Sequence, residues 1–452
     1  MSGLSRRDFL KAVGIGSAAV VVAACAPAAP AAAPGAAAGA AVAEAVKKLV
    51  VASFYAVDQT AGWAGLVDQF EKDHPGVKVE TQVTPWDEYL PKILTQIAAD
   101  TPPDVLGVEN TPFIQFVRKN VLLDLTPLLE ADQAFKATDF FPKLIGRYTV
   151  DGKVWGIPYD VQPICCLFYN KDHFDKAGVA YPTNEWKNAD LLAAAQAMTK
   201  TEGDRTSQYG FHLAETAADR NLFVYSNGGT VADSVETPTK ATFNDPKTVE
   251  GMQFWSDLIH THKVAPSPGF FKQGGMGGSD LFATGRLAMM LGGYWELVFA
   301  PDKFGQVPYG MQIGPAGADG TRGYATGGTA YCASQTTKNQ DTAWEFIKYF
   351  MGMPGYEAAF AAAPKGIIYP PAYIPAYNSE VYLKNPKPPV ENLNINGDAA
   401  EFAWFTPHHE KWVELRNTVI IPETELVGNG EKTVEEALAA MQTAAEKAFA
   451  GN

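Results

Sequence analysis

The sequence predicts an α/β protein of two domains behind an N-terminal export address, and three observations predict it. Residues 49–108 alternate strand, helix, strand, helix and strand at the spacing of a parallel α/β layer. Roughly 400 residues follow the first fifty, more than one hydrophobic core usually organises, so the body divides in two. The first 46 residues differ in composition from everything after them.

The address has two parts. Ser5-Arg6-Arg7-Asp8-Phe9-Leu10-Lys11 reads as a twin-arginine export signal. The apolar run Ala12–Ala24 behind it falls short of the ~20 residues a spanning helix needs and reads as a signal core. Val22-Ala23-Ala24-Cys25 resembles a bacterial lipobox. Residues 1–24 are therefore expected to be removed and Cys25 to carry lipid. One acyl chain holds a membrane only marginally, so a durable anchor needs two. Residues 25–46 are almost wholly Ala, Pro and Gly, with Pro27, Pro30 and Pro34 opposing a helix. They read as a tether holding the body near a membrane partner at high effective concentration.

The body opens with the strand 49–54, and a loop holding Trp63 leads into a helix through Leu66, Val67 and Phe70. Val77–Val83 alternates as a second strand, Trp86–Ala99 is helical, and Pro103–Val108 is the third strand. Ligands of such sheets sit beyond the carboxyl ends of the strands, where Trp63 and Glu109-Asn110-Thr111 fall. An apolar run from Val154 to Pro158 continues to Leu167-Phe168-Tyr169-Asn170. Asp190–Met198 is helical, and Asp245-Pro246 starts a helix whose Met252, Trp255, Leu258 and Ile259 share a face. Gly269–Ser279 reads as a glycine-rich surface loop without the ending of a phosphate loop. Thr433 and Glu436 make a capping box for a C-terminal helix through Val434, Leu438, Met441, Ala445 and Phe449.

Composition narrows the partners. The net charge is −14, and residues 1–24 carry Arg6, Arg7 and Lys11 against Asp8, so their removal leaves −16. Such a body repels phosphate backbones, and nucleic acid is not an expected partner. Beyond Cys25 there are three cysteines, an odd number, so at least one thiol is free or pairs between chains. On a strand, Cys165 and Cys166 would point to opposite faces, and a bridge from Cys332 to one of them is open in an exported protein. His408-His409-Glu410 would place its imidazoles on different sides of a helix, a poor metal pair, and no metal or cofactor is expected.

A series of blocks, in order from about residue 48 to the end, is similar to the bacterial extracellular solute-binding proteins of ABC importers, in particular the maltodextrin-type sugar-binding group. The blocks are Phe70–Val79, Pro102–Val105, Asp151–Lys153 with Gly156–Tyr159, Tyr169–Asp172, Asn227–Gly229, Phe282–Met289, Gly292–Trp295, Gly327-Gly328, Trp344–Phe350 and Glu435–Leu438. The resemblance implies a two-lobed periplasmic-binding-protein-like fold of type II, with interleaved lobes joined by a three-segment hinge. The crossings are expected near Tyr159–Pro163, Met311–Pro315 and Ala363–Ile368. Lobe 1 would then hold residues 47–158 and 312–363, and lobe 2 residues 159–311 and 364–452. The family's stacking aromatic falls on Trp295, a polar contact at the first crossing on Gln162 beside Tyr159 and Asp160, and a C-terminal aromatic on Trp412, with Trp404 as its alternative. One departure stands against maltose itself: after the third strand this chain has Val108-Glu109-Asn110-Thr111-Pro112.

These residue types suit a pyranose, whose apolar faces need flat aromatic surfaces and whose hydroxyl rim needs fixed polar groups. Trp63, Trp295 and Trp404 or Trp412 would supply the surfaces; Glu109, Asn110, Asp160, Gln162 and Asn227 the polar contacts; and Gly328 close backbone approach. A carbohydrate ligand, an ABC permease and the membrane through lipid are the expected partners of a monomer. Ligand touching both lobes favours their closed form, and little closure is expected without it. Two alternatives stay open: the same fold binding a glycerol phosphodiester or polyamine, and a secreted glycoside hydrolase using two carboxyls. Arg416 is the one cation near the named groups, and no Gly-x-Ser-x-Gly elbow or His-Glu-x-x-His occurs.

Overall fold

Two five-stranded sheets organise the chain, each the centre of one lobe. The computed structural model describes residues 46–54, 60–203, 205–214, 222–362, 369–384 and 391–451. The expected signal, Cys25 and nearly all of the tether lie outside the described residues, as does the expected third crossing at 363–368.

In the first sheet Lys47–Ser53 lies parallel between Val77–Val83 and Val105–Glu109. Thr329–Ala333 then adds antiparallel to Val105–Glu109, and Ile157–Pro158 pairs on its far side. In the second sheet the order is Tyr309–Ile313, Cys166–Asn170, Leu287–Gly292, Arg205–Leu213 and Lys200–Glu202. The central strands Cys166–Asn170, Leu287–Gly292 and Thr329–Ala333 are buried along their whole length, because helices cover both faces. Val77–Val83, at an edge, keeps a largely alternating exposure.

Several elements fall where periodicity puts them: helices Trp86–Ala98, Asn188–Met198 and Pro246–His260. In the last helix, Val434–Ala450, Thr433 Oγ1 accepts from the Glu436 N–H while the Glu436 carboxylate accepts from the Thr433 N–H. Others differ. Trp63 lies inside the helix Thr60–Asp73, with Leu66, Val67 and Phe70 on the same buried stripe. The stretch 269–279 is two short helices, Pro268–Gly274 capped by Ser267 and Gly278–Ala283, joined through Gly275. Cys165 precedes the strand Cys166–Asn170, so strand alternation does not govern the pair. Both sulfurs approach Asn396 Oδ1, at 3.9 and 3.6 Å. Cys165, Cys166 and Cys332 are free, buried thiols. His408 to Glu410 form no helix; the next one starts at Trp412.

The largest difference concerns the second crossing. Tyr309–Ile313 pairs antiparallel with Cys166–Asn170 in the second sheet, and the chain reaches the first sheet only at Thr329. Met311–Pro315 is therefore not where the chain changes sheets. The run Tyr309–Ile313 is a short edge strand, and five residues carry no mark of which sheet they will edge.

In the second lobe Pro246–His260 packs tightly on Leu222–Ser226. A Cβ added at Gly251 would lie 2.5 Å from Phe223 O and 2.6 Å from Val224 Cα. Alanine at a helix interior normally gains about 1 kcal/mol over glycine. Here the clash reverses the sign, and Gly251→Ala is expected to cost about 1–3 kcal/mol, read as a lower midpoint in urea denaturation. An unchanged or raised midpoint would mean that the two helices part freely.

Candidate functional site

Three segments pass between the lobes and hydrogen-bond side by side. The middle one, residues 159–164, receives Gly327 N–H on Gln162 O at 3.0 Å and gives Ile164 N–H to Ala325 O at 2.8 Å. On its other side Val161 N–H donates to Pro370 O at 2.9 Å and Ala372 N–H to Tyr159 O at 3.0 Å. Asp160 and Gln162 are therefore held rigidly where the lobes meet.

Their side chains close a polar cluster. Asp160 Oδ1 accepts from Thr329 N–H at 2.9 Å and its Oδ2 from Gln162 Nε2 at 2.5 Å. Gly328, at φ +121°, takes a backbone conformation that side chains rarely adopt, and a Cβ there would lie 3.4 Å from Asp160 Oδ1. Its carbonyl accepts Asn110 N–H at 3.0 Å. Asn110 Nδ2 donates to Glu109 Oε1 at 2.5 Å and to Thr326 O at 3.2 Å. Glu109 caps the helix Asn110–Arg118 by accepting Thr111 N–H at 2.8 Å.

Three functional candidates emerge that sequence reading did not find there. Arg147, from the helix Pro142–Arg147, is 3% exposed and donates from Nη2 to Asn110 O and to Thr406 Oγ1, the latter at 3.1 Å. Its Nε and Nη1 have no hydrogen-bond partner among the described residues. Tyr148 Oη is likewise buried without a partner, 3.8 Å from the position of a Gly328 Cβ. His408 follows Thr406 in the second lobe. Arg147 is thus a cation of this junction, and Arg416 lies at the start of a π-helical turn, Arg416–Ile420. No sequence pattern announces the grouping, since Arg147 and Thr406 are 259 positions apart.

Burial dominates the electrostatics. It pushes Asp160 up to about 7, with the Glu109 charge adding to the rise. It drives Arg147 down to about 10. His408 is pushed down to about 3, by burial first and then by the Arg147 charge. Tyr148 is raised well above the ordinary phenol value, again by burial.

The expected ligand residues divide. Trp295, half-buried, reaches the cluster: a Cβ at Gly327 would lie 3.5 Å from its ring and 3.8 Å from Gln162 Oε1. Trp404, also half-buried, sits in a two-residue strand beside Tyr324–Ala325 and stacks on Tyr225 at 5.3 Å, almost parallel. Trp63 instead packs in the first-lobe core against Tyr331, Phe346 and Phe350. Tyr159 joins that aromatic cluster, 5.1 Å from Phe350. Trp412 is buried and stacks on Phe449. The Asn227 amide donates to Lys247 O and the Glu250 carboxylate, tying down a turn. A further aromatic joins them: Trp86, 54% exposed at the start of its helix, stands edge-on to Phe54 at 4.7 Å, beyond the carboxyl ends of the first-sheet strands.

The chain is similar to known proteins. Residues 56–357 match the family described as bacterial extracellular solute-binding protein. A putative binding protein of Brucella abortus is 26% identical over 284 residues, 62% of this chain and 66% of that protein. The arabinooligosaccharide-binding protein of Bacillus subtilis is 26% identical over 305 residues, 64% of this chain and 65% of its own length. The match thus spans just under two thirds of these relatives. Among solved structures, an ABC substrate-binding protein from Listeria monocytogenes in complex with cycloalternan superposes with a TM-score of 0.75 at 25% identity, covering 88% of this chain and 97% of that one.

The two shifted groups have opposite effects on stability. Between its ordinary value of 3.8 and about 7, Asp160 keeps its proton in the folded state and loses it in the unfolded one, so its contribution falls as pH rises. Between about 3 and its ordinary 6.5, the His408 imidazole is protonated only when unfolded, so its contribution grows as pH rises. Each spans up to about 4–5 kcal/mol at the limit, and from pH 4 to 6.5 the two slopes oppose. Asp160→Asn is expected to leave stability climbing across that window, and His408→Gln to leave it falling up to pH 7. Urea midpoints across pH 4–7 check both; identical profiles in the two variants would refute the assignment.

Proposed function

This chain belongs to the bacterial extracellular solute-binding proteins, and on that premise we propose that it is a receptor that holds a sugar or oligosaccharide between its lobes and delivers it to the permease of an ABC importer. One observation carries the reading. Fixed, buried polar groups, Asp160, Gln162, Asn110, Arg147 and Tyr148, gather at the lobe junction, and the accessible indole of Trp295 stands beside them. Flat apolar surface next to oriented donors and acceptors suits a pyranose. Within this reading Trp295, Gln162, Trp404 and Trp86 contact ligand, while Glu109, Asn110 and Asp160 form the frame that orients them. Trp63, Tyr159, Trp412 and Asn227 support that frame through packing and turn geometry.

Turnover is not part of the proposal. Asp160 has the raised carboxyl of a general acid, yet both oxygens accept hydrogen bonds from the chain itself, and it is 3% exposed. A second reading has one observation in its favour: Arg147 is a buried cation with free donors, which suits a ligand bearing an acidic group. The binding screen therefore pairs neutral oligosaccharides with uronic-acid sugars, a glycerol phosphodiester and a polyamine. A saturable rise in melting temperature with a saccharide, and no products, is the expected result. A rise with the phosphodiester or polyamine alone would move the ligand class. Trp295→Ala is expected to weaken saccharide binding by about 2 kcal/mol, roughly 30-fold, by calorimetric titration.

Export through the twin-arginine route, lipid on Cys25 and a monomeric body tethered to the outer face of the cytoplasmic membrane complete the proposal. No helix among the described residues is long and apolar enough to cross a membrane. Cys25→Ala is expected to move the protein from the membrane fraction to the soluble one on cell fractionation. Retention in the membrane would refute the lipid anchor.

A further inference from the structure

We infer that Thr406, Asn110 and Arg147 form a latch that draws the two lobes together directly, so that the closed form is populated whatever occupies the cleft. The segment Phe402–Trp412 is anchored in the second lobe at both ends: Tyr324 N–H donates to Phe402 O, Trp404 stacks on Tyr225, and Trp412 stacks on Phe449 of the C-terminal helix. Its middle bonds the first lobe at several points. Lys143 Nζ donates to Ala403 O at 3.3 Å, and Gln115 Nε2 to Glu410 O at 2.7 Å. Between them the Thr406 hydroxyl accepts from Arg147 Nη2 at 3.1 Å and donates to Asn110 Oδ1 at 3.2 Å. The Arg147 guanidinium also lies over the Phe405 ring, 5.6 Å from its centre.

The first-lobe partners are themselves fixed. Asn110 is held by Glu109, Thr326 and Gly328, and Arg147 by Asn110 O. Thr406 is thus the point at which the second lobe completes a hydrogen-bond chain begun in the first. Asn110, Arg147 and Thr406 are all buried. When the lobes part, water can satisfy each group; when they are together, each depends on the others. Removing the Thr406 hydroxyl therefore destabilises the closed form selectively. Arg147 and Thr406 act here as positioning residues for closure, a role that stands apart from the identity of the ligand. It also departs from the sequence-based expectation of little closure without ligand.

The test is small-angle scattering of the whole chain carrying Cys25→Ser to keep it in solution, dialysed free of small molecules. Thr406→Val should shift the open-to-closed ratio by about tenfold, and Thr406→Val with Gln115→Ala by more, each raising the radius of gyration. Thr406→Ser keeps the hydroxyl and should scatter as the parent does, which simple loss of packing would not allow. Far-UV circular dichroism establishes that each variant is folded. Should Thr406→Val fail to fold, Gln115→Ala alone, at an exposed contact, carries the same expectation. Superimposed curves for the parent and the open-directed variants, or opening in Thr406→Ser equal to that in Thr406→Val, would overturn the latch.

Discussion

The pairing of the three crossing segments is the constraint on which the rest depends. Residues 159–164 lie between 325–327 and 370–372, each giving and receiving backbone hydrogen bonds. A strand passing between two sheets would ordinarily leave its polar backbone half-satisfied; here each crossing supplies what its neighbour lacks. Because the pairing runs through backbone, it holds the lobes together without fixing their angle. It also presents Asp160 and Gln162 at a place both lobes share.

What surrounds that place is costly. A buried guanidinium without an ion pair among the described residues and a buried carboxyl raised to about 7 would each destabilise a core that merely filled space. The chain spreads the cost over neutral partners. Asp160 accepts from a backbone N–H and an amide, while Arg147 donates to a carbonyl and a hydroxyl and lies over Phe405. Such a cluster orients donors and acceptors while leaving some of them free, the property a site for hydroxyl-rich ligands requires.

Much of the fold could be read from local pattern. The strand-helix alternation of the first lobe and the Thr433–Glu436 capping box are short-range features, and the structure carries them at nearly the expected residues. Trp63 was legible too: Trp63, Leu66, Val67 and Phe70 fall at i, i+3, i+4 and i+7, a buried helical stripe, and that period outweighs the pull of an indole near a strand end. The second crossing was not legible, because Tyr309–Ile313 and Thr329–Ala333 are both five-residue strands and pairing alone assigns them to different sheets. Nor was the polar junction. Asn110 and Asp160 stand at marked places, after the third strand and at the first crossing, whereas Arg147 and Thr406 come from two further segments in which no neighbour in sequence marks them.

A latch and a binding site at the same junction would act on one equilibrium. If direct contacts between the lobes were very strong, the open form that admits ligand would be scarce, and apparent affinity would fall in proportion to its population. If they were absent, the ligand alone would have to supply the whole free energy of closure. Two of the four contacts, at Gln115 and Lys143, lie toward solvent, and a neutral hydroxyl mediates the buried pair; none joins opposite charges. Neutral bonds of that kind contribute about 1 kcal/mol each and those from the cationic donors Lys143 and Arg147 about 1.5–3, offset by the cost of taking the guanidinium out of water. The placement of Asn110 then has a consequence for specificity. A ligand that drew on its amide would have to displace Thr406, Thr326 or Glu109, whereas one contacting Gln162 and the Trp295 face would leave the latch intact and gain from the closure it already favours.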